Sequence, residues 1–149
     1  AQNMGAGKTD RVKEGYRMCY VIVLTAGAVL CVMYQLAGGA FVSLFLDSGS
    51  SEAYSVGLSY VKFLSFFYSF IGLKASTDGL LRGAGDVTAF TVANLVNLAI
   101  RVSVTNLFAP IYGIQVAWMA VPLGWAANYV ISFGWYLTGK WKKVRVIKK

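Results

Sequence analysis

The sequence contains no histidine, and only six of its 149 residues are acidic. Without histidine the chain lacks the commonest metal ligand and the side chain that most readily moves a proton near neutral pH. Each aspartate and glutamate is expected in a loop or at a helix end, so no carboxylate pair shares a helix. No thiol–base pair is visible either, and the chain does not read as an enzyme. The two cysteines, Cys19 and Cys31, fall in one predicted helix. At 1.5 Å rise per residue they lie roughly 18 Å apart, too far for a disulfide, and are expected to be packing residues. Charge is also scarce: 13% of residues are charged, where a soluble domain carries about a quarter. Residues 18–46 and 102–139 contain no Asp, Glu, Lys or Arg. Such runs exceed the roughly 20 apolar residues that a bilayer-spanning helix needs, and they exclude a soluble domain.

The sequence instead predicts an all-α membrane protein with four transmembrane helices, in one segment covering 1–149. Helix A covers about 16–46, helix B 53–74, helix C 87–108 and helix D 114–138. A basic tail follows over 139–149. Residues 1–15 read as a polar loop and 47–53 as a short loop carrying Asp47 and Glu52. Residues 75–86 read as a glycine-bearing loop and 109–113 as a tight turn around Pro110. Helix A is longer than a bilayer requires, so tilt or extension beyond the membrane is expected. Of the fourteen Lys and Arg residues, twelve fall in the N-terminal segment, the B–C loop and the tail, and none in the other two connections. Positive charge stays on the cytoplasmic side, so both ends and the B–C loop are expected inside. The aromatics Tyr16, Tyr20, Phe45, Tyr54, Trp135, Tyr136 and Trp141 fit interfacial belts, although aromatic residues are abundant throughout.

Only Lys62 and Arg101 fall inside predicted spans. Lys62 belongs to a polar or small stripe on helix B (Ser55, Ser59, Lys62, Ser65, Ser69, Gly72, Ser76) within an arc of roughly 140°. Arg101 belongs to a stripe on helix C (Thr91, Asn94, Asn97, Arg101, Thr105) within roughly 120°. A cation at the bilayer centre costs about 2.5–3.5 kcal/mol even on the lenient insertion scale, so neither side chain is expected to face lipid there. Two readings remain for the stripes: helix-packing seams, or walls of a solute path formed by Lys62, Ser65, Ser69, Asn94, Asn97 and Arg101. For the two cations a cavity-facing role is preferred to snorkelling at the outer interface. Pro122 inside helix D predicts a kink, next to the small-residue pair Ala120 and Gly124.

Two glycine motifs mislead. Gly5-Ala6-Gly7-Lys8-Thr9 looks like the end of a phosphate-binding loop, but the first glycine of that motif is replaced by Gln2 and no strand precedes it. Gly83-Ala84-Gly85 lacks the third glycine and the βαβ context of a dinucleotide site. Both are read as short turns leading into helices. No metal site is expected.

Gly79-Leu80-Leu81-Arg82-Gly83-Ala84-Gly85-Asp86, followed by Arg101 in the next helix, resembles the C-terminal lobe of the multidrug and toxic compound extrusion (MATE) family. Ala1-Gln2-Asn3-Met4-Gly5-Ala6-Gly7-Lys8 with Asp10-Arg11 resembles the loop after that family's eighth helix. Gly113-Ile114, Ala117-Trp118 and Pro122-Leu123-Gly124-Trp125 resemble the start of its twelfth helix, and Gly139-Lys140-Trp141-Lys142-Lys143 its cytoplasmic end. The resemblance covers nearly the whole chain in order. It implies helices nine to twelve, part of a six-helix lobe in a twelve-helix transporter. It further implies export of amphipathic, often cationic, drugs and toxins by antiport with Na+ or H+, through two rocking lobes. Helices seven and eight and the N-terminal lobe would be partners outside this chain. Gly79, Arg82, Gly83, Gly85 and Asp86 match the family's loop and are read as structural, and Arg101 also matches. Family members carry coupling carboxylates inside membrane helices. No counterpart is read here, so no cofactor is expected, and the coupling-ion site is placed outside this fragment.

Two other readings stand beside this one. A related flippase for lipid-linked oligosaccharides would suit a more cationic cavity. A self-contained four-helix protein is the other, either a scaffold or a small pump acting as a dimer; such a pump would be expected to carry a carboxylate in its first helix and a weak charge bias. The expected partners are the lipid bilayer and small organic cations, with no nucleic acid, in the inner membrane of a prokaryote.

Overall fold

A computed structural model describes residues 1–46 and 52–143, and these residues form helices and turns. The order is α1 (Gln2–Gly5), α2 (Thr9–Ser43), α3 (Glu52–Ser65), α4 (Tyr68–Gly83), α5 (Val87–Tyr112), α6 (Gln115–Leu137) and a short 3-10 helix, Lys140–Lys143. Asp47 and the end of the basic tail, including Arg145, Lys148 and Lys149, lie outside the described residues. Helices α2, α5 and α6 are each long and apolar enough to cross a membrane. The pair α3 and α4 passes the same test jointly, bent by 57°, so the chain carries four spans if the bent pair is one.

Several boundaries differ from the sequence reading, each for a physical reason. α2 begins at Thr9, not at Tyr16. The polar stretch is helical because Val12 and Tyr16, one turn apart, both point inward: Tyr16 is 7% exposed and Val12 packs on a buried cluster. Spanning 35 residues, α2 is roughly 52 Å long and outruns a hydrocarbon core of about 30 Å. α5 runs on through Pro110 to Tyr112 and ends at Gly113, whose φ is 84°. The predicted turn over 109–113 thus shrinks to the residues around Gly113. α6 stays helical across Pro122, which is buried with Ala120 and Gly124.

The largest correction concerns helix B and the loop after it. The chain breaks at Phe66 and Phe67, inside the predicted helix, and α4 then continues to Gly83. Gly79, Arg82 and Gly83 are therefore helical and not in a loop. Leu81 is fully buried at 0% exposure, and burying its side chain outweighs the helix penalty of the nearby glycines. Only residues 84–86 form the turn. The Asp86 amide donates to the Leu81 carbonyl (2.9 Å) and the Gly85 amide to Arg82 (3.0 Å), with Gly85 at φ 85°. That is the glycine-terminated C-cap, in which a left-handed residue closes the helix. Asp86 then caps α5, accepting from the Ala89 amide at 3.4 Å. Its other oxygen accepts from Trp135 Nε1 at 2.7 Å, which ties the turn to α6. Arg82 is exposed, with its guanidinium 4.9 Å from the centre of the Phe90 ring.

Gly79 has no atom within 4 Å of a methyl group added to it. Gly79→Ala is therefore expected to leave thermal stability unchanged, or to raise it by about 0.5–1 kcal/mol through helix propensity. A large loss on melting in detergent would restore a structural role to that glycine.

In the bundle, α4 lies between α2 and α6, and α5 packs along α6 as the most extensive helix pair. The N-terminal segment, the α4–α5 turn and the tail meet in one cluster. Leu81, Ala84, Ala89 and Trp141 form its centre, with Met4, Val12, Trp135 and Tyr136 against them. These three parts of the chain therefore share one end of the bundle, the end where the sequence groups its positive charge.

Candidate functional site

Asp78 lies within α4 and is 3% exposed. The sequence reading placed every carboxylate in a loop or at a helix end, and this one sits inside the bundle. Its Oδ2 meets Lys74 Nζ at 3.1 Å, one turn earlier on the same helix. Asn94 of α5 completes the pair: its Oδ1 accepts from Lys74 at 3.0 Å and its Nδ2 donates to Asp78 Oδ2 at 3.3 Å. Ser132 of α6 donates to Asp78 Oδ1 at 2.7 Å. Three helices thus converge on one carboxylate. At 1.5 Å per residue Asp78 lies roughly 7 Å inside the end of α4 at Gly83. Isolated, either charge would be costly to bury; paired and hydrogen-bonded, the site is close to self-sufficient.

Asn97 and Asn128 extend this seam. Both are buried, and neither Asn97 Oδ1 nor Asn128 Nδ2 has a hydrogen-bond partner among the described residues. Asn97 presses on Gly124, where an added methyl group would collide with its Oδ1. The stem of Arg101 crosses the same glycine, with Cγ 2.9 Å from that methyl position. Glycine at 124 lets α5 and α6 approach closely here.

On the opposite side of α4 the polar groups are hydroxyls. Thr77 Oγ1 donates to the Leu73 carbonyl (2.9 Å) and lies within hydrogen-bond distance of the Tyr16 (2.7 Å) and Tyr20 (2.9 Å) hydroxyls of α2. The Tyr16 and Tyr20 hydroxyls are hydrogen-bonded to each other, and Tyr20 reaches Tyr129 of α6 at 3.2 Å. Cys19 pairs with Ser76 at 3.2 Å and Cys31 lies 3.7 Å from Ser65, so both cysteines are free thiols in packing seams.

A third polar group sits at the helix break. The Lys62 carbonyl, in the last turn of α3, accepts from the Ser65 hydroxyl at 2.7 Å and from Gln35 Nε2 of α2 at 2.9 Å. Gln35 Nε2 also reaches Ser65 Oγ at 2.9 Å. A serine hydroxyl bonded back to a carbonyl within its own helix favours bending, and a backbone irregularity at membrane depth persists where protein groups satisfy it. Gln35 was not singled out from the sequence. The one amide side chain in an uncharged run of 29 was the available signal.

Lys62, Ser65 and Ser69 face α2: the Lys62 stem lies 3.7 Å from a methyl group added at Gly38, and the Ser69 amide 2.8 Å from one at Gly27. Asn94 and Asn97 are packed between helices. Arg101 alone of the six path candidates is exposed. Two open apolar grooves of about 500 and 340 Å³ run along α2 and α4, and none of the six lines either.

The MatE family model matches residues 1–124. Over 146 residues the chain is 28% identical to the "Probable multidrug resistance protein YpnP" of Bacillus subtilis (strain 168). That alignment covers 97% of this chain and 32% of the relative, so the chain spans about a third of the length of the curated relative it matches. No solved structure matches.

Proposed function

Since this chain belongs to the MatE family, we propose that it forms part of a multidrug efflux transporter in a bacterial cell membrane. The observation that carries this reading is the match along 97% of the chain to a protein named for multidrug resistance. The apolar spans, four if the bent pair α3 and α4 is one, with polar seams between them support it. The transported compounds are amphipathic organic cations, and inward flow of Na+ or H+ drives their export. The remaining lobe and two further helices complete the transporter, and alternating access opens the cavity to each side in turn.

Arg101, the exposed one of the six path candidates, is the residue we assign to act beyond this chain. It lies 14 positions after Val87 in α5, roughly 21 Å along the helix axis and past its midpoint. An exposed guanidinium at that depth needs water, a cavity or an acidic partner. Drug-sensitive cells carrying the intact transporter should accumulate less of a fluorescent organic cation, and collapsing the Na+ and H+ gradients should abolish the difference. Arg101→Ala, at equal membrane abundance, should lower that export at least several-fold. Gradient-independent accumulation would sink the antiport reading, and unchanged export would make Arg101 a packing residue.

The exposed Arg101 together with half-buried Lys62 favours one second reading, a flippase for anionic lipid-linked oligosaccharides. Translocation of such a lipid by reconstituted protein that fails to export organic cations would select it.

A further inference from the structure

We propose that the break at Phe66 and Phe67 is a hinge, that α3 swings on it while α4 stays fixed in the bundle, and that Gln35 is the latch holding α3 at the bend seen here.

The two halves of the bent span are held very differently. α4 is pressed against α2 at two points where no side chain fits. A methyl group at Gly27 would sit 2.8 Å from the Ser69 amide, and one at Gly72 would sit 2.8 Å from Val23 Cβ. Hydroxyl bonds from Thr77 and Ser76 add to this, as do the ties of Lys74 and Asp78 to α5 and α6. α4 is thus anchored on three sides, and any tilt would break several buried polar contacts at once.

α3 has looser contacts. A methyl group at Gly38 would meet Leu58 at 3.2 Å, a separation that a side-chain shift accommodates. Tyr54 donates to the Gly39 carbonyl at 3.2 Å, near the outer end. Toward α6, α3 presents rings: Tyr60 and Phe63 lie 5.4 and 6.4 Å from Trp118. These tilted ring pairs fall within the roughly 4.5–7 Å range of centroid separations that aromatic contacts tolerate, a wider tolerance than that of a hydrogen bond. A directed contact from α2 to α3 comes from Gln35, which clamps the Lys62 carbonyl and Ser65 Oγ with one amide nitrogen at 2.9 Å each. It acts right beside the break, where α4 begins at Tyr68.

The lever is long enough to matter. α3 has 14 residues, so it is roughly 21 Å long, and a swing of about 15° carries its far end roughly 5 Å. Motion of that size at the outer end is what a transporter needs to open and close on that side, so the functional meaning of the hinge rests on the transport reading above. The hinge itself does not, and it is measurable without any substrate.

The test uses pairs of nitroxide labels in protein reconstituted in bilayers, with Cys19 and Cys31 replaced by alanine. Labels on Ser55→Cys and Val29→Cys report α3 against α2. Labels on Met18→Cys and Ala75→Cys report α4 against α2. Gln35→Leu keeps the bulk and removes the donor. It is expected to shift or broaden the first distance by about 5 Å, the reach of the 21 Å lever, and to leave the second unchanged. Gln35→Met, which also removes the donor but leaves Ser65 in place, should change the first distance in the same way, and it decides the matter if Gln35→Leu does not fold. An unchanged first distance in both variants overturns the latch. Equal changes in both distances also overturn it, because the bundle has then loosened as a whole. Export by the same variants is scored separately: altered distances with unaltered export leave the hinge standing and detach it from transport.

Discussion

Asp78→Ala should be among the most damaging single substitutions in this chain, costing about 3–5 kcal/mol, the range for breaking one half of a buried ion pair. Lys74 would remain inside the bundle with only the neutral Asn94 oxygen beside it. Ser132 and Asn94 would each lose an acceptor as well. Domain stabilities of about 5–15 kcal/mol leave little margin for such a loss. Thermal unfolding in detergent or bilayers, followed by helix content, reads it directly. The informative comparison is the double variant Lys74→Met with Asp78→Leu. Removing both charges for apolar groups of similar size should recover most of the loss, because paired buried charges roughly offset their own desolvation. Asp78→Asn should fall between: it keeps the shape and one acceptor oxygen, but loses the charge and turns an NH2 group toward donors where the second oxygen accepted. If Asp78→Ala melts within about 0.5 kcal/mol of the parent, the range of a neutral surface change, the pair is solvated in the membrane-embedded protein and the seam is not closed.

Trp141→Ala should have a similar cost for a different reason, about 3–5 kcal/mol from lost burial and the cavity left behind. Trp141 is 0% exposed. Its ring stacks on Tyr136 with centroids 5.6 Å apart, and its Nε1 donates to the Tyr136 carbonyl at 3.0 Å. Around it lie Leu81, Ala84 and Ala89, so the residue holds the tail against the α4–α5 turn. Trp141→Phe should lose far less, on the order of 1 kcal/mol for the hydrogen bond plus a smaller volume term. Lys142→Ala, an exposed neighbour whose ammonium lies 5.7 Å from the Trp141 ring, should be close to neutral. The readout is protection of the C-terminal segment from protease together with the melting temperature. A Trp141→Ala protein as protected and as stable as the parent would show that the tail does not dock.

Both sites belong to residues whose importance the sequence did not display. Asp78 stands among Ser76, Thr77 and Gly79, a composition that reads as a loop. The structure makes it helix because Leu80 and Leu81 pack inward at the next turn. Trp141 is followed by lysines and fits an interfacial belt as well as it fits a core. The glycines make the same point. Gly79, part of the motif that carries the family resemblance, has open space around it, while Gly27, which belongs to no motif, and Gly72, one member of the helix B stripe, are where helices touch. The stripes on helices B and C were legible as faces. Lys62, Ser65, Ser69, Asn94 and Asn97 do lie on shared seams, but which helix each seam meets was not legible.

What the sequence determined by itself is the all-helical membrane character, the approximate spans and the grouping of basic residues at one end. Transfer of a residue from water to lipid depends mainly on that residue, so the terms add along the chain and can be read in order. The tertiary structure alone decided that Asp78 is paired and buried, that the second span is bent at Phe66 and Phe67, and that Gln35 grips the carbonyl beside the bend. Those are interactions between residues 4 to 54 positions apart. Their energies depend on helix rotation and crossing, which no single residue encodes.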